Sequence, residues 1–398
     1  MMRPNRLFTA LAMVGAVVMS AMSQTPTDSV QSLYPEKFKV APVGRMLIDG
    51  ALYFKNRDGF SDGAAFPDTR LGLQATYGRW TARIVAGYAF GKVMLRDASI
   101  RYDINTNQNL KIGYFINSFG LETATAGHMK PTMELLVPDR FFQGLVANIG
   151  VQYTYHDPKF FIGAGPIIGN DDVASSAENL GKVSAGVLDR FVWHPIAGNG
   201  KVVQVGISSG YQTAHHKAEK DENGETRPSS GFFNFSSTFP TYASRVDMLQ
   251  ADVTNARYLI KLSPELLLAK GRLALEGQYY YMNVVRRNLP SYQAQGCYAT
   301  LRGIVLGKDY GYNSATAALA TPAPKSLELT AGFSYTDAHC AKAGIYGGIA
   351  RDYSLTASYY INKYFIARLH YAFASVRGSD VQRDRNINIL EARIQIGF

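Results

Sequence analysis

The basic side chains of this chain are spaced to line a wall. Arg83, Arg101, Lys111, Arg190, Arg272, Arg368 and Arg393 each stand in a stretch where apolar and polar residues alternate. Period two puts all of one type on one face, so these cations point away from the apolar face. Arg257 and Lys261 follow the same rule, and the acids on that side are Asp97, Glu276, Glu328 and Glu391. A wall with more fixed cations than anions draws anions in, which is the chemistry of selection and not of catalysis. The competing reading is internal neutralisation, with Arg272 on Glu276, Arg101 on Asp97, and Arg393 on neighbours beside Glu391. A second charged group, His128, Lys130, Glu134 and Arg140, sits in the 30-residue connection Asn117–Val146. That is long for an idle hairpin loop, and the apolar Phe119, Leu121 and Met133 would pin it against a wall.

Other chemistries find little support. His156 and His194 are inward by alternation, but no nucleophile motif accompanies them. His215-His216 stand in a solvated run with Lys217, Glu219, Lys220, Asp221 and Glu222. Gly163-Ala164-Gly165 lacks the strand-to-helix setting and the Gly-Lys-Ser/Thr ending of a phosphate loop. Cys297 and Cys340 have no metal-ligand spacing, though they could form one disulfide. No cofactor is implied.

The elements that must hold these residues are strands. In Leu390-Glu391-Ala392-Arg393-Ile394-Gln395-Ile396-Gly397-Phe398 the even positions are apolar and the odd ones polar or small. Three upstream segments repeat the pattern, with outward rows Phe365 to Phe373, Leu327 to Tyr335 and Leu273 to Tyr281. Counting such segments gives about sixteen antiparallel strands, an even number that leaves both ends of the barrel on one side. Every second connection should then be a short turn. Gly78-Arg79-Trp80, Asp157-Pro158 and Ile361-Asn362-Lys363 satisfy this, while Gly91-Lys92-Val93 is too short for its slot and Gly307–Lys325 too long. The 25 Tyr and 21 Phe suit strands and interfacial girdles, and a mean hydropathy of −0.10 is what half-lumenal strands produce.

At the N-terminus, Arg3 and Arg6 precede the apolar run Leu7 to Val18, and Ala21 and Ser23 precede a cleavage point before Gln24. Residues 1–23 are expected to be a signal peptide, 24–44 a periplasmic segment and 45–398 a transmembrane barrel. Loss of Arg3 and Arg6 lowers the formal charge from +10 to +8. An exported basic chain meets anionic solutes, membrane lipid and lipopolysaccharide, and not nucleic acid.

Ile112-Gly113-Tyr114-Phe115-Ile116-Asn117-Ser118-Phe119-Gly120-Leu121-Glu122 resembles the G-x-F-x-x-P-F-G-L-E segment of the phosphate-selective porin O and P family. Thr123 to Arg140 is similar to the loop that follows it there, and Ser326 to Phe398 to the family's closing strands. The resemblance covers most of Gly44–Phe398 and leaves Thr213–Asn255 unmatched. It implies a homotrimeric outer-membrane porin, an all-β sixteen-stranded barrel with an inward-folded constriction loop, passing small hydrophilic anions such as phosphate. Two departures stand out: Ser118 replaces a proline, and Ala124-Thr125-Ala126 replaces S-S-R, removing an arginine. The alternative function is a receptor or adhesin that binds through the loop 213–255, whose Gly231-Phe232-Phe233-Asn234-Phe235 is aromatic for a free loop. A barrel enzyme ranks behind both.

Overall fold

The computed structural model describes residues 37–89, 91–125, 130–142, 147–169, 184–220, 222 and 224–398. Among them sixteen long strands follow one another around a closed sheet: β1 (Lys39–Phe54), β2 (Thr69–Tyr77), β3 (Trp80–Ala89), β4 (Lys92–Asp103), β5 (Gln108–Phe115), β6 (Asn148–His156), β7 (Phe160–Gly169) and β8 (Ser184–Gly198), then β9 (Lys201–Thr213), β10 (Ala256–Lys270), β11 (Leu273–Arg286), β12 (Tyr292–Leu306), β13 (Ser326–Cys340), β14 (Ile345–Tyr360), β15 (Phe365–Ser379) and β16 (Arg385–Gly397). Each pairs antiparallel with the next, and β1 closes the ring. Its first half, from Lys39 opposite Thr76 to Met46 opposite Thr69, lies on β2, and its second half, Arg45 to Phe54, lies on β16. The strand therefore begins at Lys39, within the stretch expected to precede the barrel. Closure leaves no edge, so every strand can satisfy its backbone without water.

The alternation read from the sequence decides which face meets lipid. Along β14, Tyr353 and Leu355 are 51% and 62% exposed, while Ser354 and Thr356 between them are buried. Leu369, Leu329 and Ile394 repeat this on β15, β13 and β16. The molecule is thus inverted relative to a soluble domain, with leucines outside and Arg, Glu, Gln, Ser and Thr inside. No helix among the described residues is long and apolar enough to cross a membrane; the strands do the crossing.

Connections at the end where β1 starts and β16 finishes (the turn end) are mostly tight. Asp157 Oδ1 accepts from the backbone N–H groups of Lys159 and Phe160 at 2.6 and 2.7 Å, and Asn362 does the same for Tyr364 and Phe365. Such side-chain caps supply the turn with partners its backbone lacks. The misfit 307–325 has a structural cause: it turns back into the barrel. Tyr310 joins the two neighbouring turns, donating to Gly271 O at 3.0 Å and accepting from Gly200 N at 2.7 Å. Its hydroxyl then reaches Glu328 inside the wall at 2.6 Å. Cys297 and Cys340 are both free thiols.

Candidate permeation site

The described part of the connection 117–146 runs through the interior. It carries two short helices, α1 (Gly120–Ala124) and α2 (Val137–Phe142). Gly120 N donates to Ser208 Oγ at 2.8 Å and Leu121 N to Gln278 Oε1 at 3.0 Å, both on inward positions of β9 and β11. Gly120 has φ +76°, and a Cβ there would stand 2.0 Å from Gln278 Nε2, so the close approach requires glycine. Further along, the carbonyls of Lys130 and Thr132 accept from Arg368 at 2.8 and 3.1 Å, and that of Met133 from Arg393 at 2.6 Å.

These contacts redefine most of the cations expected to face solute. Arg393 is buried, with its Nε on Asp49 at 2.7 Å and Nη2 on Glu134 at 2.7 Å. Arg368 is equally buried beneath the loop. Arg190 forms a two-pronged pair with Glu265 at 2.9 and 2.6 Å, and donates to Thr316 O and Ala317 O of the inturned connection 307–325. Lys130 lies on Glu122 at 2.8 Å. Buried charges demand partners, and these have them. Arg190, Arg368, Arg393 and Lys130 therefore anchor the two inward loops. Arg302, which the alternation also places inward on β12 but which sequence reasoning passed over, bridges Glu276 and Glu328.

Several expected pairings are replaced. Arg272 is not in the lumen: it occupies the turn between β10 and β11, 55% exposed and 3.9 Å from Asp309. Glu276 belongs to Arg302. Arg101 pairs with Asp103 at 2.9 Å, and Asp97 with Lys111 at 3.4 Å. Arg257 is exposed beside a bulge at the start of β10. Arg83 faces inward, exposed, and forms no ion pair among the described residues. His128 lies outside the described residues.

The second long connection folds inward as well. A hairpin of Phe233–Thr238 and Asp247–Val253 packs on α2, and Phe233 and Phe239 are buried. Phe142 stacks on Tyr280 at 5.3 Å and 7°, and Phe60 meets Phe239 edge-on at 5.2 Å. The aromatic patch that suggested a receptor surface is thus largely interior packing.

Filling by these three inward connections is one-sided, toward β8–β16. Near β1–β4 a cavity of about 420 Å³ remains, lined by Arg45, Arg70, Arg96, Arg140 and Arg245 against Asp68 and Asp247. Asp68 is the hub. Arg45 Nε donates to it at 2.6 Å, Arg70 Nε at 3.0 Å, and Arg96 Nη2 lies 3.7 Å away. Arg140 donates to Glu134 at 3.1 Å and lies 4.6 Å above the Tyr242 ring. Arg45 and Arg70 are inward by simple alternation from Asp49 and Gln74, a signal present in the sequence and not used. Arg96 is there through a bulge. Val85 pairs with Asp97 but Ala86 with Leu95, so both Arg96 and Asp97 turn inward. Gly87 leaves room for it, since a Cβ would come within 2.8 Å of the Arg96 side chain. Arg83, Lys111 and Arg101 continue the basic wall toward the turn end.

Comparison with known proteins follows the same line. The sequence model described as phosphate-selective porin O and P matches residues 62–398. No curated protein matches the chain. Among solved structures, the anion-selective porin from Comamonas acidovorans superposes with a TM-score of 0.56 at 11% identity, covering 91% of this chain and 100% of that one. OmpT of Vibrio cholerae in its trimer form gives 0.55 at 12%, covering 91% and 99%. The outer membrane channel DcaP of Acinetobacter baumannii gives 0.53 at 12%, covering 91% and 97%. At such identities the likeness is one of fold.

Proposed function

The chain belongs to the phosphate-selective porin O and P family of outer-membrane channels, and on that premise we propose that it is a passive pore for small hydrophilic anions, phosphate among them. The observation that carries this is the arginine cavity: five guanidinium groups face two aspartates in the space the inward loops leave open. Fixed cations at close range raise local anion concentration and repel cations without any chemical step. Guanidinium groups also match the oxygens of phosphate in a two-pronged geometry. The arginine missing from Ala124-Thr125-Ala126 is offset by wall residues Arg45, Arg70 and Arg96, so charge does not depend on the loop alone.

The test is the reversal potential of the purified protein in a planar bilayer under a KCl gradient, with phosphate then titrated in. A potential on the chloride side, with current reduced by low phosphate, is the expected result. A cation-side potential overturns the reading.

Export through a signal peptide at residues 1–23 and assembly as a homotrimer complete the proposal. OmpT of Vibrio cholerae was solved in a trimer form. Here β2–β7 run 8 to 12 residues against 13 to 16 for β1 and β8–β16. Tilted strands of 8 or 9 residues span less than the roughly 25 Å apolar band, so a second copy against that wall would relieve the mismatch. Native mass measurement in detergent gives three copies if this holds and one if it does not.

A further inference from the structure

A second cavity, of about 220 Å³, lies between α2, the hairpin 233–253 and the wall strands β6–β10. Arg140 and Ser236 border both it and the arginine cavity, so it adjoins the permeation path. Its walls are aromatic. The Phe233 and Phe235 rings stand 6.0 Å apart and 17° from parallel, with Phe141 5.9 Å from Phe235. Two buried polar groups face into it. Lys261 is 9% exposed, donates to the Phe142 carbonyl at 3.2 Å, and forms no ion pair among the described residues. Asn117 is 5% exposed, and its Oδ1 has no hydrogen-bond partner. Asp139 forms no ion pair with Lys261: it accepts from Tyr280 at 2.9 Å, and burial, helped by nearby Glu122, pushes its carboxyl up to about 7.

A buried ammonium with no ion pair in contact is costly, and a cavity beside it offers the place for one. The aromatic walls favour a flat ring over a bare inorganic ion. We propose that this cavity binds small organic anions in which one carboxylate is joined to an aromatic ring, the carboxylate on Lys261 Nζ and the ring among Phe141, Phe233 and Phe235. The Asn117 Nδ2 group, and not its Oδ1, is the donor available for a second polar contact, because a carboxylate only accepts. This site is separate from the arginine cavity, and neither assignment needs the other.

Isothermal titration of the full-length protein in detergent, with benzoate and acetate as probes, tests it. Benzoate is expected to bind at least tenfold more tightly than acetate. Lys261→Met weakens benzoate at least tenfold, while Lys261→Arg keeps most of the affinity. Phe235→Leu weakens benzoate and leaves inorganic phosphate unchanged. The KCl reversal potential of Phe235→Leu, which removes no charge, stays near that of the parent, which separates this site from the pore reading. Equal affinity for benzoate and acetate overturns the proposal, as does wild-type benzoate affinity in Lys261→Met. Should Lys261→Met fail to fold, an unchanged benzoate affinity in Phe235→Leu overturns it alone.

Discussion

Neutralising Asp68 should make the pore more selective for anions, although it removes a partner from three arginines. Asp68→Asn keeps the shape and hydrogen-bonding reach of a side chain that Arg45, Arg70 and Arg96 surround. It leaves five cations facing one aspartate in the cavity. A permeating anion held about 7 Å from the former carboxylate is relieved of a repulsion of about 0.6 kcal/mol at a water-like dielectric of about 80, and about 2.4 kcal/mol at about 20. At 0.1 M salt, with a screening length of about 10 Å, roughly half of that survives. The gain in local anion concentration is then about 1.6- to 8-fold. At 1 M the screening length is about 3 Å and the gain falls below about 1.5-fold. Reversal potentials at fixed KCl ratio, once near 0.1 M and once near 1 M, read this directly. Retention of the fast-migrating unboiled band on a gel shows that the variant is folded. A shift toward cations would refute the reasoning, and so would a shift of equal size at both salt concentrations, because it would place the effect in pore width and not in charge.

Other outcomes follow from the same geometry. Arg96→Gln removes a cation brought inward by the β4 bulge and should lower anion preference by a similar factor; no change would mean Arg96 does not face the path. Arg302→Met strands Glu276 and Glu328 in the interior and should cost about 3–5 kcal/mol, read as a drop in denaturant midpoint. Replacing residues 312–320 by a short Gly-Ser link empties the turn-end filling while Arg190 keeps Glu265, so single-channel conductance should rise; an unchanged conductance would remove the plug role. Asp139, raised from 3.8 to about 7 by burial, is protonated in the folded state at pH values where the unfolded chain has lost the proton. Its contribution to stability therefore falls as pH rises from about 4 to 7, by roughly 4 kcal/mol at most. Denaturant midpoints across that range should converge with those of Asp139→Asn near pH 4 and diverge toward pH 7; parallel curves would show that Asp139 titrates normally.

What the sequence reveals here is bounded by what alternation encodes. Period two fixes the face of a residue, so the outward rows of β11, β13, β15 and β16 are legible, and Arg190, Arg368 and Arg393 are legible as inward. It says nothing about what lies opposite across a lumen. Arg393 is adjacent in sequence to Ala392 and Ile394, yet its partners Asp49 and Glu134 are 344 and 259 residues away. The pairing of Arg272 with Glu276 fails because Arg272 lies in the turn before β11, outside the lumen, while Glu276 is taken by Arg302 on the adjacent strand; alternation marks neither the end of a strand nor the cross-strand competitor.

The bulge at Arg96 marks the second limit, since one extra residue flips the face of a side chain with no change in composition. The misfit connection 307–325 shows the converse. Its excess length was visible, and the physical reason is that Tyr310, Thr316 and Ala317 supply partners to Glu328 and Arg190 that the wall alone does not. In a barrel wide enough to leave an open lumen, most charges are consumed in holding inward loops in place. Selectivity then rests on the minority left beside open space. Counting cations along the strands overstates the conducting charge, and only the position of the loops tells which arginines remain for the solute.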